Sequence, residues 1–124
     1  MIERSDTRIR VRQTVDVPAP ALFAVLADPR RHVQVDGSGM LQADVDTQPI
    51  TGVGRVFTMA MRHPSLGDYR TDNHVLEFEA GRRIVWTYDW SEVTDPAVLA
   101  RVSFPRVSAE ALTESVARLA TAAG

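Results

Sequence analysis

A break by proline residues after the first predicted strand is the sequence feature that most constrains the fold. Apolar side chains alternate with charged ones along residues 8–17, as they do in a half-buried strand. Pro18 and Pro20 end this strand, because proline has no N–H group to donate to a ladder of hydrogen bonds. The next strands begin only after Gly37 and Gly39. A sheet that gives way to helices this early and then resumes is expected to bend round a helix and leave a cavity.

Two short helices are predicted between the first strand and the second. Pro20 suits the first position of one helix, and Asp28 followed by Pro29 forms a cap and first turn for the next. The same Asp-Pro pair at residues 95–96 predicts another short helix. Ser108 is the expected cap of a last, longer helix. The apolar stripe of that helix consists of Leu112, Val116, Leu119 and Ala123.

A meander of strands is predicted between the early helices and the last one. The first of these strands is weak and places Leu41, Ala43 and Val45 on one face. Alternating side chains and turn residues predict three more strands, over residues 56–61, 69–79 and 82–90. A tight turn at residues 80–81 would make a hairpin of the last two. In the last strand, one face is predicted to carry Ile84, Trp86, Tyr88 and Trp90.

Length and composition exclude several classes of protein. A chain of 124 residues is one domain, and its net charge of −2 lacks the basic surface that nucleic-acid binding requires. The absence of cysteine excludes disulfides and thiolate catalysis. No apolar run is long enough to insert into a membrane, and the first residues lack a secretion signal, so we expect a cytoplasmic protein. The histidine spacing predicts no metal site, and no motif predicts a cofactor.

Several segments resemble the START-like polyketide cyclase/dehydrase superfamily (SRPBCC). Residues 17–20 and 23–29 are similar to its N-terminal signature, and residues 36–40, 77–84 and 88–91 are similar to later parts of it. The resemblance extends over nearly the whole chain. It implies an α+β helix-grip fold, in which a curved antiparallel sheet wraps around a long C-terminal helix. Members include aromatase/cyclases, plant allergens and lipid carriers, so the resemblance implies a fold more specifically than an activity.

One departure from the family pattern lies between Trp86 and Thr87. Family members usually carry further strands between the segment that resembles residues 82–86 and the segment that resembles residues 87–91. Either the chain is a short variant that has lost a hairpin, or residues are missing at this point, and we favour the second interpretation. A normal peptide bond would place the two Cα atoms ~3.8 Å apart and refute it.

Eight residues are predicted to line a cavity for a small hydrophobic ligand. Methionine is adaptable, and tryptophan and tyrosine combine a large apolar surface with one polar group. The predicted ligand-binding residues are Phe57, Met59, Met61, Tyr69, Asn73, Trp86, Leu112 and Val116. The alternative is that these residues simply fill the core, as such residues usually do. A cavity smaller than roughly 300 Å³ would favour that alternative.

Four polar residues are candidates for parts of a site. Asn73 would orient a ligand carbonyl or hydroxyl if it faces inward, and a bulge before Phe78 leaves its direction open. His74 is the next residue in the same strand, so its side chain points to the opposite face from that of Asn73. Only one of these two side chains therefore faces the cavity. His32 and Asp36 are one helical turn apart and suit a base with its orienting carboxylate. We expect instead that both are solvated on a short surface helix.

Three functions follow from these predictions. The first is binding of a lipid- or polyketide-like molecule without catalysis, because the apolar residues outnumber convergent acids, bases and nucleophiles. The second is a polyketide cyclase or dehydratase, in which His74, Asn73 or Tyr69 would supply a base and hydrogen-bond donors for an enolate. The third is a stress or regulatory interaction protein, for which no residue argues.

Overall fold

The computed structural model describes residues 2–5, 8–64, 66–89, 96 and 108–124. The described chain is α+β, with antiparallel sheets and a C-terminal helix. In chain order the elements are β1 (Ile2–Arg4), β2 (Ile9–Val11), α1 (Ala19–Leu26), a 3-10 turn (Pro29–Arg31), α2 (His32–Val35), β3 (Leu41–Val45), β4 (Val56–His63), β5 (Gly67–Glu79), β6 (Arg83–Asp89) and α3 (Ala109–Ala123).

The main sheet is an antiparallel meander in the order β3-β4-β5-β6. Phe57 lies opposite Asn73 and Met61 opposite Tyr69, and residues that lie opposite one another share a face of the sheet. We call one side the inward face. It carries Phe57, Met59 and Met61 of β4, Tyr69, Thr71, Asn73 and Val75 of β5, and Trp86 of β6.

The first predicted strand is much shorter than expected. The strand β2 ends at Val11, although the alternating pattern continues to residue 17. Its partner is β1, which has three residues and pairs Ile2 with Val11, in a sheet separate from the main one. A strand persists only where a neighbour satisfies its backbone groups, and the described pairing supplies only three residues.

Bulges in β3 and β5 change which side chains share a face. In β3 the register shifts between Leu41 and Ala43, so the prediction that Leu41, Ala43 and Val45 share a face is wrong. In β5 the register shifts between Val75 and Glu77, as the predicted bulge before Phe78 requires.

The strand β6 passes through Trp86 and Thr87 without interruption. Trp86 pairs with Val75 and Thr87 with His74, so the register advances one residue at a time across this step. The strand is therefore continuous at this step, which agrees with the interpretation of the chain as a short variant. The chain has a short sheet that lacks the hairpin expected at this point.

Local capping explains where the described helices begin. The Asp28 carboxylate accepts a hydrogen bond of 3.1 Å from Arg30 N, and Ser108 Oγ accepts one of 3.0 Å from Ala111 N. These caps confirm the predicted starts of the second and last helices, while α1 begins one residue before Pro20. Apart from Pro96, the helix predicted at residues 95–100 lies outside the described residues, as does Trp90.

The helices α1 and α2 cover the end of the inward face that carries Phe57, Phe78 and Trp86. Phe23 of α1 contacts Phe78 with ring centroids 5.3 Å apart, and His32 of α2 contacts Phe57 and Trp86. The helix α3 packs against α1, α2 and β2. Gly37 allows this packing, because a Cβ at this position would overlap backbone atoms of α3.

Candidate functional site

The structure brings six of the eight predicted ligand-binding residues together on the inward face. Phe57, Met59 and Asn73 are buried there, whereas Met61, Tyr69 and Trp86 are half-buried. The other two, Leu112 and Val116, are half-buried on α3.

Part of this set belongs to the hydrophobic core. Phe57 and Met59 form the buried cluster with Ile50 and Val75, and the half-buried side chains of Met61 and Trp86 pack against it. At this end of the sheet the predicted site residues therefore contact one another and the side chains of α2.

The other end of the inward face opens into a cleft of about 700 Å³. We call it the hairpin cleft. Its walls are residues 38–40 after α2, Arg62, His63, Pro64 and Gly67 of the β4–β5 hairpin, and Ser108 and Ala111 at the start of α3. His63 lies opposite Gly67, the next inward pair after Met61 and Tyr69. The cleft therefore lies between α3 and the end of the inward face.

Sequence reasoning missed the residues that line this cleft. The sequence predicts that strands begin after Gly37 and Gly39 and that Ser108 caps a helix, but local patterns do not show that these segments meet across the fold. The predicted residues Met61 and Tyr69 line a second, neighbouring cleft of about 470 Å³. Phe57 lines a third, of about 620 Å³, at the opposite end of the strand.

Asn73 faces inward, and the structure fixes the orientation of its amide. Nδ2 donates to Phe57 O at 3.1 Å, and to Thr71 O and Thr71 Oγ1 at 3.3 Å each. Because a carbonyl oxygen only accepts hydrogen bonds, the atom next to Phe57 O must be the nitrogen. The carbonyl oxygen Oδ1 is therefore an acceptor, and among the described residues none donates to it.

His32 is buried, so the expectation that it is solvated on a surface helix is wrong. Its exposed fraction is 9%, and its ring stacks on Trp86 with centroids 5.4 Å apart and planes 19° apart. Nε2 lies 2.7 Å from Leu26 O, and the carbonyl can only accept, so Nε2 carries the proton. Burial lowers the pKa of His32, because desolvation disfavours the charged ring more than the hydrogen bond to Leu26 favours it.

Asp36 does not orient His32. Its carboxylate accepts hydrogen bonds from Ser38 N at 3.0 Å, Ser38 Oγ at 2.6 Å and Leu41 N at 2.9 Å. These bonds hold the turn between α2 and β3, which forms one wall of the hairpin cleft. His32 and Asp36 therefore have separate structural roles and do not act together as a base and its orienting carboxylate.

The residues considered for catalysis are divided between the two faces of the sheet. Asn73 and Tyr69 are on the inward face, whereas His74 lies one residue further along β5 and faces outward. His74 therefore does not act in the same cavity as Asn73. Within the described ranges, no group of His, Asp and Glu is placed to hold a metal ion. Across the same ranges, no helix has the length and apolar character needed to span a membrane.

Comparisons with known proteins show two partial relatives. The chain is 36% identical over 81 residues to the uncharacterized protein Rv0088 of Mycobacterium tuberculosis, an overlap of 64% of this chain and 36% of the relative. It is 44% identical over 55 residues to the uncharacterized protein MT0096 from a second strain of that organism, which covers 43% of this chain and 25% of the relative. The aligned part of this chain thus spans about a third of one relative and a quarter of the other. No family model and no solved structure matches the chain.

Proposed function

We propose that this chain binds one small hydrophobic or aromatic molecule, lipid- or polyketide-like, between the inward face of its sheet and α3. In this proposal the sheet curves around α3 in the helix-grip arrangement of the START-like superfamily. The observation that carries the proposal is the hairpin cleft, because inward positions of the sheet and the first turn of α3 form opposite walls of it.

Size and chemistry support this use of the cleft. Its volume of about 700 Å³ lies within the range of small-molecule sites, roughly 300–1,000 Å³. Met61 and Tyr69, the next inward residues, are half-buried, as are Leu112 and Val116 on α3. A guest that covered these four side chains would remove apolar surface from water, which stabilises a complex by about 25 cal/mol for each Å².

Binding without catalysis is proposed because neither His74 nor His32, the two histidines considered as a base, is placed to act on a guest in the cleft, whose wall carries His63 instead. A cyclase needs a base and oxyanion donors aimed at the same guest. His74 faces outward, and the imidazole of His32 is enclosed by Phe57, Trp86 and Leu26 O.

A titration with the fluorescent probe N-phenyl-1-naphthylamine tests the proposal. We expect saturable binding of one probe per chain, and we expect Met61→Glu to weaken it by at least about tenfold, because a charge on the inward face resists desolvation. Ala60→Glu is the matched control, because Ala60 is the neighbouring residue on the outward face. No saturable binding, or equal losses in both variants, would refute the proposal.

A further inference from the structure

Two buried polar side chains lie next to one another on the largely apolar inward face. Thr71 and Asn73 are each 5% exposed, and Asn73 Nδ2 lies 3.3 Å from Thr71 Oγ1. They are two residues apart on β5, opposite Met59 and Phe57 of β4. The side chains around this pair are largely apolar, so a guest at this position would have few other hydrogen-bonding partners.

Among the described residues, one acceptor atom and one donor group of this pair have no hydrogen-bond partner. The amide N–H groups of Asn73 are used on Phe57 O and Thr71, which leaves Oδ1 as an acceptor that no described residue donates to. Thr71 Oγ1 accepts from Asn73, and its own O–H group has no acceptor among the described residues. Buried polar atoms are rarely left without a partner, so a partner that is not among the described residues is expected to complete the pair.

We infer that the guest is an apolar molecule that carries a hydroxyl group, an alcohol or a phenol, and that Thr71 and Asn73 bind this group. The inference rests on the proposed function: Thr71 and Met59 form the next inward pair after Tyr69 and Met61, so one end of a guest that covers Tyr69 and Met61 would lie at Thr71. A hydroxyl donates to Asn73 Oδ1 and accepts from the Thr71 O–H group at the same time.

Other oxygen groups fit this pair less well. A ketone, ether or carboxylate offers only acceptors, so it would satisfy Thr71 and leave Asn73 Oδ1 facing another electronegative atom. A hydrocarbon would leave both groups without partners in a buried place. A site built to bind a hydroxyl discriminates strongly against molecules that lack it, for this reason.

Competition among three guests of similar size tests the inference. 2-Naphthol, 2-methoxynaphthalene and 2-methylnaphthalene would each be used to displace N-phenyl-1-naphthylamine from the intact chain. We expect 2-naphthol to bind about tenfold more tightly than 2-methoxynaphthalene, which leaves Asn73 Oδ1 without a donor, and by a larger factor than 2-methylnaphthalene, which satisfies neither group.

Variants of the pair identify the groups responsible. Thr71→Val keeps the shape of the side chain and removes its O–H group, and Asn73→Leu removes the acceptor. Each is expected to reduce the preference for 2-naphthol over 2-methylnaphthalene, because 2-naphthol loses one of its two hydrogen bonds and 2-methylnaphthalene no longer leaves that group without a partner. The matched control is Thr58→Val, because Thr58 donates to Asp72 at 2.7 Å on the outward face of the same two strands.

The outcomes separate this inference from the proposed function. Equal affinities for the three guests would overturn the inference and leave hydrophobic binding standing. A preference that survives both Thr71→Val and Asn73→Leu would overturn the assignment of these residues. If none of the guests nor the probe binds, the proposed function is wrong and the inference with it. Thr71→Val keeps the test decisive if Asn73→Leu does not fold.

Discussion

His32 is a buried imidazole held between two aromatic rings and a backbone carbonyl, and this environment makes stability depend on pH. Its pKa lies below the usual 6.5 because burial disfavours the charged ring. As pH falls below 6.5, the unfolded chain takes up a proton that the folded chain resists. The contribution of neutral His32 to stability is therefore present above this pH and is lost as pH falls towards the pKa of the folded state.

Urea denaturation at a series of pH values between about 8 and 5 measures this effect. We expect the free energy of unfolding to decrease below pH 6.5, by no more than about 1.4 kcal/mol per pH unit for one proton. His32→Gln retains an N–H group for Leu26 O and does not titrate, so this variant should show a flatter dependence. An unchanged slope in His32→Gln would assign the effect to other groups.

At the residue scale, the alternation of side chains along each strand predicted which of them share the inward face. It did not predict which of them other elements bury. Phe57 is buried in contact with His32 of α2, and Met59 is buried in the cluster with Ile50 and Val75. The charged neighbours of His32 in the sequence favoured exposure. Contacts between segments that are far apart in the sequence determine which side chains are buried, and a local sequence pattern carries no information about those contacts.

At the scale of elements, the loop after α2 sets how closely α3 can approach. Gly37 N donates to Ser115 Oγ at 2.8 Å, and an added Cβ would overlap Ala111 O and lie 2.8 Å from Ser115 N. Arg118 Nη1 also donates to Asp36 O at 2.9 Å. These contacts hold α3 beside the wall of the hairpin cleft.

We expect Gly37→Ala to lower the free energy of unfolding by about 1–3 kcal/mol, because backbone atoms of α3 must move to accept the methyl group. Gly52→Ala is the matched control, since no atom lies within 4 Å of a Cβ built there. It should change stability by less than about 0.5 kcal/mol. Similar urea midpoints for Gly37→Ala and the wild-type chain would show that α3 is not packed as described.

Starts of elements were predicted better than their lengths and registers. The Asp28 and Ser108 caps act within three residues, so the sequence shows them directly. The end of β2 and the bulge in β3 depend on partner strands. Since the alternating pattern of residues 8–17 carries no information about its partner, it predicted a strand longer than the one that forms.

At the scale of the whole molecule, the account depends on α3 and the inward face enclosing a guest between them. The hairpin cleft is the place where described residues of both elements line one space. The most direct test is an NMR experiment on the chain with 13C-labelled methionine methyl groups and bound N-phenyl-1-naphthylamine. The account predicts intermolecular NOEs from the probe to Met61 and to Met40, which lines the cleft. A bound probe with NOEs to neither methyl group would contradict it.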